Sequence, residues 1–272
     1  MEMGSQNIWI AMGLAVFAGL STGIGGLIVL LFKKTNAKLL SVALGFSAGV
    51  MIYISFVELY SGSRKLLTAS MGPEAGLWVS AVAFFGGMLL ITIIDKLVPS
   101  YENPHESRKI EDAKDYCSLD GNAKLLRTGI LTAVVITVHN FPEGMATLIS
   151  ALQEPSLGVA IALAIGLHNI PEGISVAIPV YCATGSKKKA LAWSLLSGIA
   201  EPIGAILAYF ILLPILSDTV FGILFAMIAG IMVFISLDEL LPTAREYGEH
   251  HLSIYGLIAG MILMALSLIM II

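Results

Sequence analysis

Two stretches of this chain set the same polar residues in the same order. HNFPEGMAT occupies His139–Thr147 and HNIPEGISV occupies His168–Val176. In each, imidazole and carboxylate stand four residues apart, so a helix puts His139 with Glu143, and His168 with Glu172, on one face. Asn140 and Asn169 precede the same glutamates by three residues and flank that face. Pro142 and Pro171 have no amide hydrogen, so each leaves the carbonyl four residues back without its donor and loosens its helix. Gly144 and Gly173 remove bulk beside the site. Glu201, in the later stretch GIAEP, adds a third carboxylate.

Nitrogen and oxygen donors in this mixture suit a divalent transition ion: Zn2+, Fe2+, Mn2+ or Co2+. A carboxylate at the centre of a membrane helix costs about 3 kcal/mol on insertion scales, and no Lys or Arg lies near these three in the sequence. Either the acids stay protonated or a cation neutralises them. The two cysteines, Cys117 and Cys182, are too few for a thiolate site or a disulfide framework. Cys182 reads as a small packing residue and Cys117 as a loop thiol. The lack of thiolates or a methionine cluster speaks against Cu(I). With this many donors, two ions can share Glu143 and Glu172 as bridges.

The elements that must hold these residues follow from composition. The chain has 272 residues, 57% hydrophobic and 12% charged, with a mean hydropathy of +0.90. Soluble domains carry about 25% charged residues, so the expected class is an all-α integral membrane protein in the lipid bilayer. A net charge of −4 excludes a nucleic-acid binder held by a basic surface. Eight apolar runs approach the ~20 residues that a span needs: Ile8–Phe32, Leu39–Tyr60, Ala75–Val98, Thr128–Leu152, Ser156–Ala183, Ala190–Leu213, Thr219–Leu241 and Leu252–Ile272. The midpoints of spans four, five and six fall at Asn140, at Asn169–Ile170 and beside Glu201. The motifs thus meet at one depth.

Of the fifteen Lys and Arg, loops one, three, five and seven hold three, six, three and one, and the opposite side only Arg64 and Lys65. The positive-inside rule puts both termini outside the cytoplasmic (inner) membrane. Residues 99–127, of mixed charge, read as a mobile cytoplasmic loop.

A second repeat joins spans two and seven. AGVMIYISFVEL (Ala48–Leu59) aligns without gaps on AGIMVFISLDEL (Ala229–Leu240). Five spans separate the copies, so they run in opposite directions, as inverted repeats do. Ser55 and Ser236 share a helical face with Met and Glu in each copy. Glu58 falls two residues from the outer end of its span and Glu239 two from the inner end of its own. This sets Glu58 at the external mouth of a cation path and Glu239, with Asp238, at the cytoplasmic exit.

The paired HNFPEG and HNIPEG on consecutive spans, with eight spans and external termini, resemble the ZIP (Zrt-, Irt-like protein) family of divalent metal transporters, and within it the bacterial zinc-uptake branch. The resemblance covers the whole chain. It implies a 3+2+3 helical bundle, a metal path between spans two, four, five and seven, and uptake of divalent metal into the cytoplasm. It also implies one metal position at His139, Glu143, His168 and Glu172, and a second at Asn140, Glu143, Asn169, Glu172 and Glu201. Met51 matches a position where some members place a thioether. The His-rich third loop of many members is missing here.

The competing class is an integral-membrane metal-dependent enzyme, a hydrolase or a di-iron oxidase. A zincin needs H-E-x-x-H, and Asn stands where its base would be. Di-iron bundles use Glu-x-x-His, whereas here His precedes Glu by four. A channel or proton relay would use the same carboxylates. The expectation is a transporter with no catalytic residue and no organic cofactor, its metal being cargo. The sequence leaves the oligomeric state open, with a homodimer among the alternatives.

Overall fold

The computed structural model describes residues 5–31, 37–97, 122–212, 217–247 and 250–271. All of the regular structure among them is helical: α1 (Ser5–Leu31), α2 (Ala37–Ile54), α3 (Ser61–Met71), α4 (Pro73–Leu97), α5 (Asn122–Gln153), α6 (Pro155–Thr184), α7 (Lys187–Gly198), α8 (Ala200–Leu207), α9 (Asp218–Ile235), α10 (Leu241–Tyr247) and α11 (His250–Ile271). Among the described residues, seven helical segments are long and apolar enough to cross a membrane. They match expected spans one to three and five to eight. The fourth lies within α5, which is 32 residues long.

Two expected boundaries move. Span two does not stop at Tyr60: a π-helical turn at Ser55–Tyr60 leads straight into α3, and the hydrophobic segment runs Ser41–Met71. The sequence SGSRKLL is polar enough to end a hydropathy run without ending a helix. Glu58 therefore lies mid-helix, not two residues from its end. Span seven behaves alike, with a π-helical turn at Ser236–Leu240 followed by α10, so Glu239 is also mid-helix. The segment expected as a loop over 99–127 is already helical from Asn122, while residues 98–121 lie outside the described residues. Cys182, expected as a small packing residue, is disulfide-bonded.

The helices sort into two packed groups. In one, α6 lies against α1 and α5, and α5 against α7 and α8. In the other, α2 lies against α11, and α9 against α3 and α4. The groups meet where α2 packs on α6. Small residues set the approach distances, because helices in lipid gain from close van der Waals packing and not from hydrophobic exclusion.

The second repeat keeps the same local structure in both copies. Ser55 Oγ donates to the Met51 carbonyl at 2.6 Å and Ser236 Oγ to the Met232 carbonyl at 2.7 Å. Each serine then opens a π-helical turn, a distortion that occurs mostly as single turns at functional sites. Gly49 lies on the Leu257 carbonyl of α11, and Gly230 on the Phe84 carbonyl of α4, each so closely that a Cβ would collide.

A Cβ at Gly49 or Gly230 must push two backbones apart. Gly49→Ala and Gly230→Ala should each cost about 1–3 kcal/mol and lower the melting temperature of the purified protein. Gly86→Ala, with nothing within 4 Å of the new atom, should be neutral or stabilising by up to about 1 kcal/mol. Equal melting temperatures for all three would contradict the packing described.

Candidate metal centre

Helices α5 and α6 form an antiparallel pair joined through Glu154, with extended backbone there and Pro155 opening α6. Both motifs are helical throughout, with Pro142 and Pro171 inside their helices. The pairing brings the motifs face to face. His168 Nε2 lies 3.0 Å from Glu143 Oε1 across the pair and 3.7 Å from Glu172 Oε1 on its own helix. Glu143, His168 and Glu172 are buried to within 3% of full burial, and Asn140, Asn169 and Glu201 completely.

Glu201 enters from α8, which continues α7 through a helical Ile199. Its Oε1 accepts a hydrogen bond from Asn169 Nδ2, which also donates to the Ala18 carbonyl at 2.9 Å. Asn140 Nδ2 donates to the Ser197 carbonyl at 3.3 Å. A backbone carbonyl only accepts, so these contacts fix which end of each amide is nitrogen. The two Oδ1 atoms are left buried and without hydrogen-bond partners among the described residues. Buried oxygens of that kind are costly unless something binds them.

Of the expected donors, Glu143, His168 and Glu172 meet, Asn169 meets Glu201, and Asn140 bonds to the backbone of α7. His139 lies on α5, but its side chain is outside the described residues. Among the described residues no set of three or more His, Cys, Asp and Glu forms a ready coordination shell. Met51 is fully buried in the same core as Ala146 and Ile165, one turn from Glu143 and His168 respectively. Ser55 and Ser236 are buried, each bonded within its own helix. Glu58 and Glu239 are half-buried and Asp238 is exposed.

Sequence reasoning missed three residues. Thr147 and Ser150 continue the Glu143 face of α5 by one and two turns, are fully buried, and have hydroxyls without partners among the described residues. The spacing i, i+4, i+7 was the available signal. The third, Thr22, sits in a patch that reads as packing alone.

The packing around the site has a two-fold pattern. Gly144 lies on the Glu201 carbonyl, and Gly173 on the Thr22 carbonyl. Gly204 lies on the Phe141 carbonyl, and Gly25 on that of Ile170. Gly19 and Gly198 each lie on the other's carbonyl. Spans one and six are therefore a third related pair, GLSTGIGG (19–26) matching GIAEPIGA (198–205) only at Gly, Ile and Gly. In this pairing Ala18 corresponds to Ser197, so the two asparagine bonds are one bond made twice.

Asn140→Leu removes the donor to Ser197 and should cost about 1–3 kcal/mol, seen as a lower melting temperature in metal-free detergent. An unchanged melting temperature would remove the structural half of that residue's role.

The sequence matches the family described as "ZIP Zinc transporter" over residues 6–268. A protein named "Zinc transporter ZupT" from Streptococcus mutans is 56% identical over 266 residues, 98% of this chain and 99% of the relative. Proteins of the same name from Clostridium perfringens and Chlorobium chlorochromatii are each 54% identical, covering 97% and 98% of this chain and 97% and 99% of their own.

Proposed function

The chain belongs to the ZIP zinc transporter family, and from that premise we propose that it takes up Zn2+ across the cytoplasmic membrane, along with Fe2+, Mn2+ and Co2+. The observation that carries this reading is the contact of His168 with both Glu143 and Glu172, at 3.0 and 3.7 Å, inside a fully buried cluster. Carboxylate, imidazole and amide oxygens converge there from two antiparallel helices, and an arriving divalent cation would neutralise the acids. Glu143 and Glu172, on opposite sides of His168, are suited to bridge two ions. The amide oxygens of Asn140 and Asn169, with Glu201, supply the second position.

Helix α5 is the fourth of eight spans in this reading, arranged 3+2+3 with the two motif helices at the centre. Both termini lie outside. The three repeats, spans one and six, two and seven, four and five, are each related by inversion through the Gly19–Gly198 crossing. Glu58 collects cations on the outer side, within electrostatic reach of Lys65 and Glu154, and Asp238 and Glu239 receive them on the inner side. The enzyme alternative has no observation in its favour. Asn140 and Asn169, where a general base would stand, are tied to backbone carbonyls.

Two measurements test the reading. In vesicles, Glu143→Ala or Glu172→Ala should cut Zn2+ uptake by at least about a hundred-fold, while His251→Ala, an exposed residue, should leave it unchanged. Near-normal uptake in either glutamate variant would refute the central site. For topology, the exposed Arg64 and Lys188 replaced by Cys should react with a membrane-impermeant thiol reagent from opposite faces, Arg64→Cys from outside. Labelling of both from one face would refute the orientation.

A further inference from the structure

We infer that Thr22 is the counterpart of Glu201 in the metal cluster, standing to Asn140 as Glu201 stands to Asn169, and that its small neutral hydroxyl keeps the site one carboxylate short of two-fold balance. This rests on the transport reading above and deepens it.

The argument is one of position. Asn169 and Asn140 donate to the carbonyls of Ala18 and Ser197, and the residue after each acceptor is one of the two glycines at the crossing. Three residues beyond Gly198 lies Glu201; three residues beyond Gly19 lies Thr22. The backbones of these two residues receive Gly144 and Gly173, the motif glycines, in the same way. Glu201 uses this place to reach Asn169. The equivalent reach from position 22 is toward Asn140.

The chemistry at that corner is unfinished. Thr22 is fully buried, and its Oγ1 has no hydrogen-bond partner among the described residues. Asn140 Oδ1, at the same corner, is also buried and without one. The backbone role of Thr22 is separate, since its carbonyl accepts from Ser194 Oγ at 2.7 Å. A threonine oxygen stands two bonds from Cα and a glutamate oxygen four, so Thr22 reaches less far than Glu201 does. It offers a neutral oxygen to the ion or to a water on it.

The charge count gives the consequence. Glu143, Glu172 and Glu201 with two divalent ions leave one net positive charge, which favours departure of an ion. A carboxylate at position 22 would balance the pair and hold it.

Zn2+ binding to purified protein, by competition with a chromophoric chelator, and initial uptake rates in vesicles test this together. Thr22→Glu should tighten binding about ten-fold and lower the maximal uptake rate as KM falls. Thr22→Val keeps the shape and the backbone acceptor but loses the oxygen, and should weaken binding about 3–10-fold, with Thr22→Ser restoring it. Thr22→Val and Thr22→Glu proteins that fold and bind Zn2+ like the wild type would overturn the assignment. If Thr22→Glu does not fold, the Val and Ser pair still decides. Glu143→Ala in the same binding assay separates the two levels. Loss there with no effect at position 22 rejects Thr22 alone, whereas retained binding rejects the central site.

Discussion

Three carboxylates buried at the core of a helical bundle, in a chain with only 12% charged residues, form the constraint on which the rest of the structure depends. Burial disfavours each charge. The surroundings answer with dipoles. The Asn169 amide donates to Glu201, and His168 stands between the other two acids. Each of these groups is fixed in turn. Asn169 is held by α1 and Asn140 by α7, so the amides cannot swing away when the charge in the cluster changes.

That fixing requires backbones in near contact, and this is what the glycines provide. At Gly144, Gly173, Gly19 and Gly198 any side chain would strike a carbonyl oxygen. The helices close until an asparagine on one reaches the backbone of its neighbour. Pro202 contributes by lacking the amide hydrogen that would bind the Gly198 carbonyl from within the helix. Small residues, prolines and amides are thus a single device for holding acids in lipid, and it is built twice, once around each motif.

Much of this was legible in the sequence, for physical reasons. The HNxPEG pair was visible because a buried imidazole and acid four residues apart are rare in apolar helices, and their repetition at matched depth names one site. In the structure Asn140, Glu143, His168, Asn169 and Glu172 are buried, and His168 contacts Glu143. The Ser, Met and Glu register of the second repeat also had local structure behind it, since both copies open a π-helical turn at the aligned serine. Other features were hidden. Hydropathy could not follow span two past Tyr60, because a polar helix end and a loop look alike in composition. The relation between spans one and six rests on contacts between glycines and carbonyls, which leave almost no trace in residue identity. Thr22 and Glu201 differ in chemistry, so their equivalence needed the backbone.

The donors' contacts with one another bear on why such a site suits transport. The affinity of an ion for a cluster is the difference between what it gains from the ligands and what the ligands lose from each other. Here the contacts to be exchanged are substantial: His168 to Glu143, His168 to Glu172, and Asn169 to Glu201. On the reading proposed above, an entering ion would displace them, and they would re-form when it left. A structural metal site gains nothing from ligands that satisfy each other, because it never has to let go. Conduction across a membrane needs binding favourable enough to draw the ion in and weak enough to release it. Ligands that bind one another in the ion's absence lower the barrier to release without removing any donor from the path.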